Sequence, residues 1–220
     1  MRCRNSRVLR ATSVQLEPVI VAHGLWLPGT ETFLLQRRLR DAGFQAHLFR
    51  FPTVSAGLDE NVARLERFIL QQPEPRVHLV GYSLGGVLSV CVSRGLAASR
   101  IARIVCLGAP LNGSRAGERL VASPLMRRLV GKSIADLVAR APLPPWTGMP
   151  ELGLVAGRLG LGMGRLFAAF EGPNDGTVQV DETELPGANA HIVLPVSHTS
   201  LLFSRAAARH TATFLKTGRF

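Results

Sequence analysis

Residues 77–89 read VHLVGYSLGGVLS, and the fold follows from this stretch. Val77 to Val80 form a run typical of a buried strand, and a helical pattern begins only a few residues later. Three glycines and one serine lie between them. At so tight a corner, Gly81 and Gly85 are the positions where a side chain would collide with neighbouring backbone. The pattern Gly-x-Ser-x-Gly predicts a strained turn that holds the Ser83 hydroxyl above the end of a sheet, beside the N–H groups of the helix that follows.

The same alternation of strand and helix extends outward along the chain. Apolar runs of strand length are predicted as strands at 18–24, 45–51, 77–82, 103–110, 151–157 and 191–196. Segments of helical period lie between or after them, at 30–43, 58–72, 83–98 and 199–216. Fully apolar strands that alternate with helices indicate an α/β fold, with a mostly parallel central sheet covered by helices on both faces.

One segment, about 111–150, breaks this rhythm. Its glycines and its proline-rich APLPPWTGMP predict short helices in a segment that leaves the sheet and passes over its active edge, the edge at which the strands' carboxyl ends and Ser83 lie. We call this segment the excursion. We expect this excursion to form one wall of a substrate pocket but to be too short for a large lid. The rest of the chain divides into a basic, loose leader at 1–17 and one domain at 18–220.

Charge and composition restrict the classes of partner. The net charge is +11, and nearly all of the positive charge is arginine, since lysine occurs only at 132 and 216. The arginines are spread out, without the spacing of a helix-turn-helix or a zinc finger, so we expect no specific nucleic-acid partner. Weak attraction to acidic membrane surfaces stays open. The sequence contains no transmembrane segment and no apolar stretch after the N-terminal arginines, which predicts a cytoplasmic protein.

The three cysteines, Cys3, Cys91 and Cys106, show no C-x-x-C spacing. They are predicted to be reduced thiols, and no cluster of metal-ligating residues accompanies them.

Two features, the Gly-x-Ser-x-Gly corner at 81–85 and the His-Gly of VIVAHGLW at 19–26, make the chain resemble the α/β-hydrolase family. The resemblance covers about residues 18–216. It is most similar to the small bacterial lipases and esterases. The resemblance implies a single-domain α/β-hydrolase fold in which Ser83 is the nucleophile and is followed in the chain first by an acid and then by a histidine base.

The base is predicted to be His198, in LPVSHTSLL, because it lies just beyond the last strand and before the last helix. Among the other histidines, His23 is expected to shape the His-Gly loop, whereas His47 and His78 fall within strands. His191 opens the last strand, and His210 lies inside the last helix.

The acid is predicted to be Asp175, in PNDGTVQV, beyond the strand at 151–157. Asn-Asp-Gly is itself a turn signal, so an ordinary turn aspartate is the competing interpretation. Asp136 and Glu171 are the alternatives for the acid. The carboxylates at 181, 182 and 184 are interpreted as a solvated cluster.

The backbone N–H group of Leu84 and, by resemblance, that of Leu25 are expected to form the oxyanion hole. Trp26, Tyr82 and Trp146 are expected to surround the serine with apolar surface and contact the substrate, and plain core packing is the competing interpretation for each. The expected activity is hydrolysis of a small-molecule or lipid-like carboxylic ester, without a metal or an organic cofactor. A thioesterase, amidase or acyltransferase with the same triad is an alternative, as is a non-catalytic binding protein of this fold.

Overall fold

The structure is a computed structural model, and it describes residues 16–161 and 170–220. Six strands are present in this part of the chain: β1 Glu17–Ala22, β2 Phe44–Phe49, β3 Val77–Tyr82, β4 Ile101–Leu107, β5 Glu151–Gly157 and β6 Ala190–Leu194. The α-helices described are α1 Phe33–Asp41, α2 Leu58–Leu70, α3 Leu84–Val92, α4 Arg115–Ala122, α5 Pro124–Arg140, α6 Ser200–Phe203 and α7 Arg205–Thr217.

The strands form one sheet in the order β2-β1-β3-β4-β5-β6, and every neighbouring pair is parallel. The predicted α/β fold with a parallel sheet between helices is confirmed. Because all six strands run the same way, their carboxyl ends lie along one edge. The loops that follow β1, β3, β5 and β6 therefore meet there, with β3 near the middle of the sheet.

Alternate residues of the buried strands face two apolar layers. Ile20, Leu79 and Ile104 pack toward the layer that contains α2 and α3, whereas Val21 and Val80 pack toward the layer with α1 and α7. The strands are thus buried on both faces, which explains why their sequences are continuously apolar rather than alternating.

Two predicted helices are shorter in the structure. The helix predicted at 83–98 ends at Val92, and Ser93 donates its hydroxyl to the Val90 carbonyl at 2.7 Å. The helix predicted at 199–216 is divided at Ser204, whose backbone is extended and whose Oγ accepts from the Ala207 N–H at 3.2 Å. In both cases a serine side chain competes locally with the helical backbone bonds.

The excursion is mostly helical, since it contains α4 and α5. Helix α5 is interrupted at Gly131, where φ is 78°. A Cβ atom at Gly131 would collide with the backbone of Val54, and the next N–H, that of Lys132, donates to the Val54 carbonyl at 3.0 Å. The excursion is therefore fixed to the loop after β2. Nearly all of the predicted leader, and Cys3 within it, falls outside the described residues.

Candidate active site

The turn after β3 places Ser83 in a strained backbone conformation. Its φ and ψ are 53° and −121°, a region that non-glycine residues rarely adopt. The glycines on either side allow the approach that the turn needs. A Cβ atom on Gly81 would collide with the Gly85 carbonyl, and one on Gly85 would lie 2.6 Å from the His23 carbonyl oxygen. The corner is held by the Ser83 N–H, which donates to the Leu107 carbonyl of β4 at 2.9 Å.

Two backbone N–H groups beside Ser83 have no acceptor within the described residues. They belong to Leu84, the first residue of α3, and to Leu25, in the loop after β1. Both residues line the same cavity as Ser83. Unpaired N–H groups at the start of a helix favour negative charge, so this corner can accommodate an oxyanion.

His198 and Asp175 are joined by two hydrogen bonds. The His198 Nδ1 lies 2.7 Å from the Asp175 Oδ2, and the His198 backbone N–H donates to the Asp175 carbonyl at 2.8 Å. The Asp175 side chain is fully buried. With Nδ1 engaged by the carboxylate, Nε2 is the imidazole nitrogen left to accept a proton.

The turn that carries Asp175 also fixes the carboxylate itself. Asp175 Oδ1 accepts from the N–H groups of Thr177 at 2.9 Å and of Val178 at 2.7 Å. This is the turn that Asn-Asp-Gly predicts, but the Asp175 carboxylate also bonds to His198, which an ordinary turn aspartate would not do. Glycine is required at the end of β5, because a Cβ atom on Gly157 would lie 2.8 Å from the Asp175 Cβ.

Ser83 and His198 line one cavity of about 320 Å³, open at the carboxyl edge of the sheet. No hydrogen bond joins the two in the described part of the chain, and the His198 ring instead packs against Tyr82, with ring centroids 4.9 Å apart. The lining is mainly apolar. Its residues from the loops and strands are Leu25, Trp26, Leu27, Tyr82, Leu84, Pro110, Thr177, Val178 and Thr199, and its residues from the excursion are Ser114, Ala116, Gly117, Leu120, Ile134 and Leu137.

The excursion thus forms one wall of the cavity, but mostly through residues that the sequence reasoning did not name. Ala116 and Leu120 lie one helical turn apart in α4, so the spacing of apolar residues in RAGERLVA was the available signal. Of the apolar residues in the excursion, Leu137 lines the cavity, Leu125 is mostly exposed and Leu111 lies in the core.

The three aromatic residues expected to contact substrate are placed differently. Trp26 and Tyr82 line the cavity, whereas Trp146 does not. Trp146 is buried in the core. Its backbone N–H donates to the Pro186 carbonyl at 2.7 Å, and the Arg94 guanidinium lies 6.0 Å from its ring centroid. The expectation that Trp146 contacts substrate is therefore corrected, because the segment after α5 packs this side chain into the apolar core instead of against the cavity.

Glu182 is not solvated as the sequence interpretation had it. It is buried, its Oε1 accepts from the Arg115 N–H at 2.6 Å, and its Oε2 accepts from the Gln179 N–H at 2.7 Å. Burial raises the pKa of this carboxyl group above its usual range. Glu182 thereby links the first residue of α4 to the loop that carries Asp175, which joins two sides of the cavity.

The alternative acids occupy structural positions. Asp136 Oδ2 accepts from the Leu58 N–H at 2.8 Å and so caps α2. The Glu171 side chain is exposed, and its backbone N–H donates to Gln179. Within residues 16–161 and 170–220, no hydrogen bond joins either of them to His198, whereas Asp175 forms two.

His23 shapes the loop after β1, as the sequence reasoning expects. Its Nε2 accepts from the Phe51 N–H at 3.2 Å, its Nδ1 lies 2.9 Å from the Gly24 carbonyl oxygen, and its ring stacks on Phe51. Burial lowers the pKa of His23, which keeps the imidazole neutral and able to accept.

The thiols described in the structure are poor candidates for a nucleophile. Cys91 and Cys106 are free, and burial raises the pKa of both. Within residues 16–161 and 170–220, no group of three or more histidine, cysteine, aspartate or glutamate side chains could hold a metal ion. None of the described helices is both long and apolar enough to cross a membrane.

Comparison with known families gives a match over most of the chain. A sequence model described as "Alpha/beta hydrolase family" matches residues 19–212. No curated protein sequence gives a significant match.

Solved structures with the same fold include several hydrolases. A lipase from Bacillus licheniformis, BlEst2, is 20% identical with a TM-score of 0.71, and the alignment covers 94% of each chain. A metagenomic carboxyl esterase is 16% identical with a TM-score of 0.69, over 93% of this chain and 75% of that one. The carboxylesterase CesB from Bacillus subtilis is 12% identical with a TM-score of 0.58, over 94% and 86%. At these identities the likeness establishes the fold.

Proposed function

The chain belongs to the alpha/beta hydrolase family, and we propose that it is a serine hydrolase that cleaves carboxylic esters with Ser83, His198 and Asp175. The observation that carries this proposal is the pair of bonds between Asp175 and His198 beside a strained serine in one apolar cavity. Strained backbone concentrates at functional sites, because a fold retains it only where a side chain must be presented in one direction.

In the acylation step, Ser83 Oγ attacks the carbonyl carbon of the ester while His198 Nε2 takes the hydroxyl proton. The carbonyl oxygen becomes an oxyanion and accepts from the N–H groups of Leu25 and Leu84. The bond from carbon to the alcohol oxygen then breaks, and the imidazolium returns the proton to that oxygen. Catalytic hydrogen bonds often tighten only when substrate is bound, so the mechanism requires the bond between Ser83 and His198 in the complex with substrate.

Water completes the cycle. Its oxygen attacks the acyl carbon as His198 Nε2 accepts one proton, and the second tetrahedral intermediate is held by the same two N–H groups. The bond to Ser83 Oγ breaks, Oγ regains the proton, and the acid product leaves. Asp175 stays an acceptor throughout, fixing the tautomer of His198 and stabilising the imidazolium.

The cavity favours a small or medium acyl group that is apolar. Leu120, Ile134 and Trp26 offer hydrocarbon surface, and the polar groups within reach are mainly the hydroxyls of Ser114, Thr177 and Thr199. Its volume of about 320 Å³ is at the small end of the range for ligand pockets. No charged side chain from the described residues lines it, which argues against an ionic acyl chain.

Hydrolysis of p-nitrophenyl butyrate tests the proposal. The wild type should turn over the ester, the Ser83→Ala variant should lose about 10⁴-fold or more in kcat, and activity should survive dialysis against a chelator. Ser93→Ala, at the other end of α3, is the matched control and should retain activity. An inactive wild type would favour a binding protein. Turnover of thioesters or amides without turnover of esters would assign the substrate to one of those classes instead.

A further inference from the structure

A basic groove runs between α1 and α7 on the sheet face opposite α2 and α3. It has a volume of about 820 Å³. Small side chains such as Ala42, Ala208 and Ala212 line it beside Leu34 and Thr213. Its cations are Arg37, Arg38, Arg205, Arg209 and Lys216.

The spacing of these cations is that of two facing helical stripes. On α7 the groove residues recur at 205, 208, 209, 212, 213 and 216, and on α1 at 34, 37, 38, 41 and 42. Side chains three and four residues apart lie on one side of a helix, so the positive charges of both helices point into the same groove.

These charges are largely uncompensated. Asp41 is the acidic residue among those that line the groove. In the described part of the chain, no carboxylate oxygen lies within 4.0 Å of a charged nitrogen of the five cations. A concave surface with unpaired arginines attracts phosphate groups, which match the guanidinium fork.

Two exposed phenylalanines lie outside the lining of the groove, where the helices that form it begin, toward the carboxyl edge of the sheet. Phe33 is 61% exposed and Phe203 is 47% exposed. Phe33 follows the loop at the carboxyl end of β1, and Phe203 lies five residues beyond His198. Arg38 donates to the Phe203 carbonyl at 2.7 Å, which joins the groove to Phe203.

We propose that the basic groove and the two phenylalanines form a docking surface for bilayers that contain anionic phospholipids. Lipid phosphates occupy the groove, and the phenyl rings enter the boundary between headgroups and acyl chains. Cationic residues next to exposed aromatic ones are the combination that binds such an interface. Because the phenylalanines lie at the carboxyl edge of the sheet, docking brings the cavity mouth to the membrane. The substrate would then be a lipid-like ester, an inference that rests on the proposed function.

Vesicle binding tests this surface with a matched pair of variants. The groove variant carries Arg205→Gln and Arg209→Gln, both on α7. The control carries Arg64→Gln and Arg67→Gln on α2, which packs on the other face of the sheet, so each protein loses two charges from one helix. Each is mixed with vesicles of phosphatidylcholine alone or with 30% phosphatidylglycerol, at 0.1 M and 1 M NaCl, and the bound fraction is measured by sedimentation.

We expect binding only to the phosphatidylglycerol vesicles, and strongly reduced binding at 1 M salt. Since each arginine near an anionic surface contributes roughly a factor of five to partitioning, the groove variant should bind about 30-fold more weakly. The control should change by less than about threefold. Equal loss in the two variants, or wild-type binding to phosphatidylcholine alone, would overturn the proposal.

Two further measurements separate the alternatives. A short DNA duplex that binds the wild type while phosphatidylglycerol vesicles do not would assign the groove to nucleic acid and contradict the lipid assignment. Turnover of soluble p-nitrophenyl butyrate should be the same in the groove variant and the wild type. Binding is also measured with Ser83→Ala, which should bind the vesicles as the wild type does. The docking result therefore does not depend on whether the protein hydrolyses esters.

Discussion

At the residue scale, backbone strain identifies the centre of the site. Ser83 and Trp26 are the non-glycine residues with positive φ in the described chain, at 53° and 59°, and both line the cavity. Such conformations cost roughly 1–3 kcal/mol each. Trp26 is held by its N–H, which donates to Thr53 Oγ1 at 3.2 Å, and by its Nε1–H, which donates to the Leu129 carbonyl at 2.9 Å. The loop after β1 is thereby tied to the excursion that faces it.

Replacing each candidate acid in turn tests whether Asp175 or Asp136 supports His198. In Asp175→Asn the amide can no longer stabilise the imidazolium and can favour the wrong tautomer of His198, so kcat should fall by about 10³–10⁴. Asp136→Asn is the control, because an amide oxygen can still accept from the Leu58 N–H, and its activity should stay close to that of the wild type. Steady-state kinetics with p-nitrophenyl butyrate measures both. A large loss in Asp136→Asn with little in Asp175→Asn would reverse the assignment.

At the scale of elements, the junction of β3 and α3 depends on close backbone approach. The corner leaves no room for a methyl group at Gly85, whose Cβ atom would collide with the Ala22 carbonyl. The cavity is completed by two separate elements, α4 and the loop with Asp175, and the Glu182 carboxylate holds these together. The junction of β3 and α3 thus positions Ser83, and the two hydrogen bonds of Glu182 hold α4 and the Asp175 loop on either side of the cavity.

Gly85→Ala should lower the free energy of unfolding by more than about 3 kcal/mol, since the colliding atoms are backbone and cannot move aside. The matched substitution is Gly172→Ala, where the new Cβ atom would lie 3.4 Å from Gln179 Nε2 and the change should be within about 1 kcal/mol. Urea denaturation gives both values. Similar stabilities for the two variants would contradict the packing described for the corner.

The wall formed by α4 predicts a change in acyl-chain preference. Leu120→Ala enlarges the cavity, so kcat/KM for p-nitrophenyl octanoate relative to the butyrate should rise by about tenfold. Trp146→Phe is the control and should leave this ratio unchanged, because Trp146 lies in the core. An effect of Trp146→Phe without one of Leu120→Ala would place the acyl group elsewhere.

The strands and the serine corner could be predicted from sequence because each depends on local pattern. Buried strands are apolar runs, and the corner needs glycine at fixed positions. The role of Glu182 could not, because it depends on a contact between segments more than 60 residues apart. The apolar spacing in α4 indicates a buried helix face but does not show which surface that face covers. Trp146 was misplaced for the same reason, since nothing local to APLPPWTGMP shows that it folds inward. Asp175 could be predicted as a partner of His198 because its turn and its place in the chain order coincide, and the two side chains are hydrogen-bonded in the structure.

At the scale of the whole molecule, the sheet separates two surfaces of different character. One face packs against α2 and α3, and the other against α1 and α7, with the basic groove between the latter two. His23 and His78 lie buried within this framework, and His191 is half-buried. Burial lowers the pKa of His23, His78 and His191 below the usual value of 6.5.

This burial predicts that stability depends on pH. Below about pH 6.5 these histidines take up protons in the unfolded chain but resist them in the fold, so the unfolded state binds more protons and the free energy of unfolding falls as pH decreases. Glu182 works in the opposite direction, since burial raises its pKa. Urea denaturation at pH 7.5 and 5.5 should show lower stability at 5.5. The loss should be smaller in His23→Gln, and an identical loss would exclude His23 as a cause.

Covalent labelling with a fluorophosphonate identifies the nucleophile, which we expect to be Ser83. After labelling, trypsin should release residues 77–94 as one peptide, which contains Ser83, Ser89 and Ser93. Fragmentation by tandem mass spectrometry then locates the adduct. We expect one phosphonyl group per chain, on Ser83, and no adduct in Ser83→Ala. An adduct on another residue, or undiminished labelling of Ser83→Ala, would contradict this assignment.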